Sequence, residues 1–146
     1  MNSPIQTVTI LVFNLNRSKV LIVNHKEKAE HISNTYGLPS GRIEPGESKI
    51  EATIRELREE TGLLTASEEL RELPFKYKAN IKRKDGTTKL FEMSVFYCKS
   101  YQGEISEQVE NIPEWVDIKK LDKLNLLPNV EKCVLEGLDY ISRYKF

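Results

Sequence analysis

The chain has 146 residues and 39% hydrophobic content, enough apolar material for one buried core and too little for two. Its 22 Lys and Arg balance 22 Asp and Glu, which excludes a global field that would draw it to duplex nucleic acid or to a membrane surface. No apolar run approaches transmembrane length and the opening residues lack a signal-peptide pattern, so a single domain over 1–146, soluble and cytoplasmic, is expected.

Taken in chain order, residues 5–13 and 19–24 are rich in Val, Ile and Leu and are separated by the polar turn 14–18; they read as a hairpin. A polar loop covers 25–35, and 36–39 reads as a short strand. Two long runs, 70–82 and 88–98, flank the dipeptide Asp85-Gly86, a hairpin signal. The second run, LFEMSVFYC at its end, is apolar on both faces, as in a strand covered by helices on either side. Residues 112–118 read as a last strand. From Pro128 onward Val130, Val134, Leu138 and Ile141 recur at near-helical spacing and predict an amphipathic closing helix. The isolated Cys98 and Cys133 have neither metal nor redox spacing and read as core thiols. A mixed sheet between helices follows from this order of elements.

Between these strands lies the segment 41–63, GRIEPGESKIEATIRELREETGL. Ser48 followed by Glu51 is a capping-box signature and Gly62 a helix stop, so 48–61 is predicted as about four helical turns. Ile50, Ile54 and Leu57 form one stripe, read as core; Glu56, Glu59 and Glu60 form another. Like charges at these spacings oppose the helix by roughly 0.2–0.5 kcal/mol a pair, and Glu59 and Glu60 also face the negative end of the helix dipole. Clustered carboxylates are hard ligands suited to Mg²⁺ or Mn²⁺, which are held by a few carboxylates together with substrate phosphates and water. Glu47, two turns before Arg55, is placed for a bidentate pair that would hold the preceding loop to the helix.

The pattern G-x5-E-x7-R-E-U-x-E-E-x-G-U, with U a bulky aliphatic residue, runs from Gly41 through Glu47, Arg55, Glu56, Leu57, Glu59, Glu60 and Gly62 to Leu63, and it resembles the Nudix (MutT-like) hydrolase box without departure. The resemblance implies an α/β/α sandwich and metal-assisted hydrolysis of a nucleoside diphosphate linked to another group. It implies metal ligands at Glu56, Glu59 and Glu60 and at the carbonyl of Ser40, with Arg55 orienting its neighbours and Gly41, Glu47 and Gly62 shaping the loops. It also points to Glu110, five residues before Trp115, as a catalytic base, with Glu107 in reserve.

Substrate contacts are less determined. Arg42 follows the first box glycine. His25 and Lys26 are placed to touch a terminal phosphate, and Tyr36, Phe75, Tyr77 or Tyr97 to stack on a base; core packing is the other use of each aromatic. The cluster Lys76, Lys78, Lys82, Arg83, Lys84 and Lys89 reads first as a solvated, guarded hairpin edge and second as a phosphate contact. Pro74 and Tyr77 do not stand at the spacings that mark ADP-ribose or dinucleoside polyphosphate hydrolases in the family. A (d)NTP pyrophosphohydrolase is the leading expectation, with an ADP-ribose, nucleotide-sugar or dinucleoside polyphosphate hydrolase behind it. A nucleotide-binding module without catalysis is the alternative of another class. Monomer and homodimer remain equally open.

Overall fold

The computed structural model describes residues 3–25 and 34–144. Among the described residues seven strands occur in chain order: β1 Ile5–Leu11, β2 Lys19–His25, β3 Tyr36–Gly37, β4 Ser40–Arg42, β5 Leu70–Lys82, β6 Thr88–Cys98 and β7 Asn111–Asp117. The helices are α1 Lys49–Thr61 and α2 Val130–Tyr144. A mixed four-stranded sheet runs β4-β1-β6-β5, with β1 and β6 parallel and the other pairs antiparallel. A second, antiparallel sheet runs β3-β2-β7.

The expected hairpin of β1 and β2 exists only at its closed end and needs correction. Asn14 N–H donates to Lys19 O at 3.0 Å and Leu21 N–H to Val12 O at 2.9 Å, after which the two strands part into different sheets. The reason is saturation of strand edges: β4 and β6 take both edges of β1, and β3 and β7 take both edges of β2. A strand has only two rows of backbone donors and acceptors, so the hairpin ladder cannot continue. The β5–β6 hairpin forms as expected. Arg83 N–H meets Thr87 O at 2.8 Å across the turn, and Gly86 sits at φ 88°, a conformation glycine accepts without strain. Pro74 lies where the β5 register shifts between Glu72 and Lys76, on an edge strand that tolerates a missing N–H.

Alternation along the strands divides the interior into two layers. Val8, Ile10 and Val12 of the first strand segment, with Leu21 and Phe96, pack with Ala52 and Leu57 of α1. Leu11, Val20, Ile22, Val95 and Tyr97 pack with Val130, Cys133, Val134 and Ile141 of α2. The two helices therefore cover opposite faces, giving the α/β/α sandwich. Gly137 lets α2 approach β1 closely, since a methyl group there would overlap the Leu11 side chain. Both cysteines are buried and unpaired in disulfides, as read from their isolation.

Helix α1 begins and ends as its sequence dictates. Ser48 Oγ accepts from Glu51 N–H at 3.0 Å while Glu51 Oε1 accepts from Ser48 N–H at 2.9 Å, and Gly62 closes the helix at φ 85°. The apolar stripe is a partial correction: Leu57 is fully buried and Ile54 partly, whereas Ile50 is 37% exposed. The face that turns inward instead carries Ala52, Thr53, Glu56, Leu57 and Thr61, so the helix buries a carboxylate. Among the described residues no helix is long and apolar enough to cross a membrane.

Candidate active site

Pairing of β4 with β1 sets Ser40 opposite Thr9, Gly41 opposite Val8 and Arg42 opposite Thr7, and brings the start of the 41–63 segment against the glutamate face of α1. Ser40 N–H donates to Glu60 Oε1 at 2.7 Å. The Glu56 carboxylate lies over Gly41, filling the space any Cβ at that position would need. Glycine is required here by close approach, not by backbone angle.

Arg55 is the hub of the cluster. Its Nε and Nη2 donate to the two oxygens of Glu47 at 2.7 and 2.9 Å, the bidentate pair expected from spacing. Its Nη1 reaches Glu56 Oε1 at 2.6 Å and Glu59 Oε2 at 3.2 Å, and Nη2 also meets the Arg42 carbonyl at 2.9 Å. One guanidinium thus ties loop, β4 and two helix carboxylates together. The hydrogen bonds from Arg55 and the Glu44 N–H hold the Glu47 carboxyl down at about 2. Glu56 is pushed above the usual carboxylate range, because its burial outweighs the pull of Arg55. Burial raises Glu60 well above that range, and repulsion from Glu56, Glu59 and Glu110 adds to it against the Ser40 N–H.

These carboxylates open into a cavity of about 890 Å³. One end is lined by Glu44, Glu56, Glu59, Glu60 and Glu110. The floor is the open face of the four-stranded sheet, with Thr9, Thr7 and Met93, and the remaining wall includes Ile81, Arg83, Phe91, Leu127 and Asn129. Thr9 Oγ1 is buried in that floor with no hydrogen-bond partner among the described residues.

Of the residues selected from sequence, the fold brings Ser40, Gly41, Arg42, Glu56, Glu59, Glu60 and Glu110 to the cavity, with Arg55 and Glu47 behind them. Glu110, and not Glu107, lines the wall, and its charge is felt at Glu60. His25 also lines it, buried, with Nδ1 at 2.9 Å from Asn111 Oδ1; burial lowers its pKa. Tyr77 forms wall, but its hydroxyl is engaged by Glu136 and its ring is core. Tyr36 is a correction: its ring packs against the α2-side core and is absent from the cavity wall. Tyr97 packs beside Phe13, and Phe75 meets Tyr140 edge-on. Lys26 lies outside the described residues. Sequence reasoning passed over Thr7, Thr9, Phe91 and the cavity role of Arg83. The alternation Tyr77, Ala79, Ile81, Arg83 was the available signal for the last, since those residues are buried while Lys76, Lys78, Asn80 and Lys82 between them are exposed.

Among the described residues no three His, Cys, Asp or Glu side chains are arranged as a ready ligand cage. Arg55 draws Glu56 and Glu59 towards itself, and the Ser40 N–H holds Glu60. The donor set nevertheless fits Mg²⁺ in kind: hard oxygens, few of them from the protein, beside space for phosphates and water. A divalent cation bound there would favour the charged forms of Glu56 and Glu60, which burial otherwise disfavours.

With the sandwich, the glutamate helix and the loop clamped by Arg55 in place, the chain belongs to the NUDIX domain family, whose profile it matches over residues 4–137. It is 30% identical over 143 residues to Nudix hydrolase 7 of Arabidopsis thaliana, covering 89% of this chain and 49% of that protein. It is 32% identical over 82 residues to the oxidized purine nucleoside triphosphate hydrolase of Danio rerio, covering 56% of this chain and 48% of the relative. The chain therefore spans about half the length of these curated relatives. In fold it is similar to the MutT protein of Methanosarcina mazei Go1, with a TM-score of 0.76 at 23% identity over 97% of this chain and 98% of the other.

Proposed function

We propose that the chain is a Mg²⁺- or Mn²⁺-dependent hydrolase that cleaves a phosphoanhydride bond in a nucleoside diphosphate linked to another moiety, with a (d)NTP pyrophosphohydrolase as the first reading. The observation that carries it is the convergence of Glu56, Glu59 and Glu60 with the Ser40 backbone at one end of a nucleotide-sized cavity. In this reading those three carboxylates and the Ser40 carbonyl hold the divalent ion. When bound, the ion neutralises polyphosphate charge and lowers the pKa of a coordinated water.

The protein's own groups divide the remaining work. Arg55 fixes the rotamers of Glu56 and Glu59 and locks β4 through the Arg42 carbonyl, with Glu47 holding Arg55 in turn. Glu110, on the cavity wall within electrostatic reach of Glu60, is the base that takes the proton of the attacking water. His25 and Arg42 contact the substrate from the wall. The Danio rerio relative's name, a hydrolase of oxidised purine nucleoside triphosphates, favours the triphosphate reading. An ADP-ribose, nucleotide-sugar or dinucleoside polyphosphate hydrolase is the second choice. Intact box carboxylates stand against a purely binding role.

Release of phosphate and pyrophosphate, with and without Mg²⁺, is the test, across (d)NTPs, oxidised dNTPs, ADP-ribose, nucleotide sugars and dinucleoside polyphosphates. Metal-dependent turnover of one class supports the proposal and names the substrate. Silence across the panel, with melting temperature still responding to nucleotides, replaces it with the binding-module reading.

A further inference from the structure

The end of the cavity away from the glutamates has a chemistry of its own. Phe91 pairs with Ile5 on β1, four residues from Thr9, so it lies about 13 Å along the strand from the Ser40–Glu60 contact. That separation suits an extended nucleotide. Two guanidinium groups converge on this ring: Arg83 at 5.4 Å from its centroid and Arg42 at 5.9 Å. Arg83 is only 8% exposed, carried inward by the β5 alternation, and its backbone is fixed across the turn to Thr87. Ile81, Met93 and Leu127, all apolar, pack in one cluster with Phe91 and line the same cavity. Cation–π contact with Phe91 holds both guanidinium groups near the ring, and the apolar surround strengthens any hydrogen bond made there.

We infer that Arg42 and Arg83, held near Phe91, form the base-recognition site and select a 6-oxopurine nucleotide, carrying guanine or hypoxanthine, over a 6-aminopurine one. Guanidinium groups are donors only. A 6-oxopurine presents two adjacent acceptors, O6 and N7, to such a wall, whereas the adenine N6 amino group sets donor against donor. A second phosphate is also rich in acceptors. It fits the surround poorly, because its remaining oxygens would be desolvated against Ile81, Met93 and Leu127. The unpartnered Thr9 hydroxyl lies on the floor beside Ser40, at the glutamate end of the same cavity, where it can meet the phosphate part of an extended nucleotide. The inference rests on the reading of the cavity as a nucleotide site and adds which base it takes.

Calorimetric titration of the whole protein with GDP, IDP, ADP and tripolyphosphate, in Mg²⁺ and again in chelator, tests it separately from hydrolysis. GDP and IDP are expected to bind roughly tenfold or more tightly than ADP, the discrimination of one good bidentate arginine contact. Arg83→Lys and Arg42→Lys, which keep charge but lose the planar fork, should bring the ratio towards one. Equal affinity for GDP and ADP in the unaltered protein overturns the inference whether or not the variants fold. So does tripolyphosphate binding that weakens on Arg83→Lys as much as GDP binding does. If the GDP preference holds while no substrate is hydrolysed, the base site stands and the hydrolase reading falls. If hydrolysis is metal-dependent without base preference, the base site alone falls.

Discussion

At Gly41 the absence of a side chain is a packing requirement, because the Glu56 carboxylate occupies the volume a methyl group would take. Gly41→Ala should therefore displace Glu56 and cut turnover by at least an order of magnitude, measurable as kcat in saturating Mg²⁺; an alanine variant of normal activity would show that Glu56 need not sit there. Glu59, half of whose side chain is exposed, stands in a run of like charges. Glu59→Gln should lower turnover by orders of magnitude while the melting temperature holds or rises, since repulsion along the helix is relieved. Full activity would remove it from the ligand set. The raised carboxyl of Glu60 carries a pH signature in metal-free protein. A folded-state pKa above the unfolded value favours folding below the ordinary glutamate pKa, and that contribution is lost as pH rises through the raised value. In unfolding scans with chelator, the unaltered protein should lose stability relative to Glu60→Gln from mildly acidic to neutral pH, a comparison in which the opposite contribution of His25, whose pKa burial lowers, cancels. Glu47, held low, acts in the opposite sense and only in strong acid, so it does not obscure the result. An unchanged pH slope in the glutamine variant would contradict the burial of that carboxyl.

At the scale of elements, the two ends of α1 do different jobs. The capping box at Ser48 and Glu51 belongs to the helix alone. The Gly62 end also anchors the segment leading to Glu110: Ser106 N–H donates to Thr61 O at 2.9 Å, and Leu64 and Gln102 exchange backbone hydrogen bonds. A Cβ at Gly62 would meet Ser106 Oγ at 2.5 Å in a backbone conformation already strained for other residues. Ser48→Ala should cost about 1 kcal/mol of stability and leave turnover nearly intact. Gly62→Ala should cost at least about as much and depress turnover too, because the Glu110 segment moves. Denaturant unfolding together with kcat separates the two; loss of activity in neither variant would argue against coupling of that segment to the site. The caps of α1 and the Asp85-Gly86 turn were legible in sequence because each depends on residues a few positions apart. The parting of β1 and β2 was not, since it follows from which distant strands claim their edges.

For the whole molecule, the proposed metal site would couple folding to ligand. An ion that binds the assembled Glu56, Glu59, Glu60 and Ser40 but not the unfolded chain stabilises the fold by mass action, about 2.7 kcal/mol at a hundredfold excess over Kd. Mg²⁺ should raise the melting temperature, and Glu60→Gln should abolish most of that rise. A rise that survives in the variant would place the ion elsewhere.

By itself the sequence determined what local rules control: the helix read over 48–61 with its caps, the β5–β6 turn, the strands' apolar character, the carboxylate spacing on one helix and the reach of Glu47 to Arg55. Only the tertiary structure decided which glutamate is buried over Gly41, why Ile50 faces solvent, that Tyr36 belongs to the core, and that Arg83, Arg42 and Phe91 meet. The physical reason is the range of the interactions. Caps, turns and helical stripes are set by neighbours within a turn or two of the chain, whereas the cavity is built from β1, β4, β5, β6 and the helix termini, whose side chains converge only through strand register and sheet order.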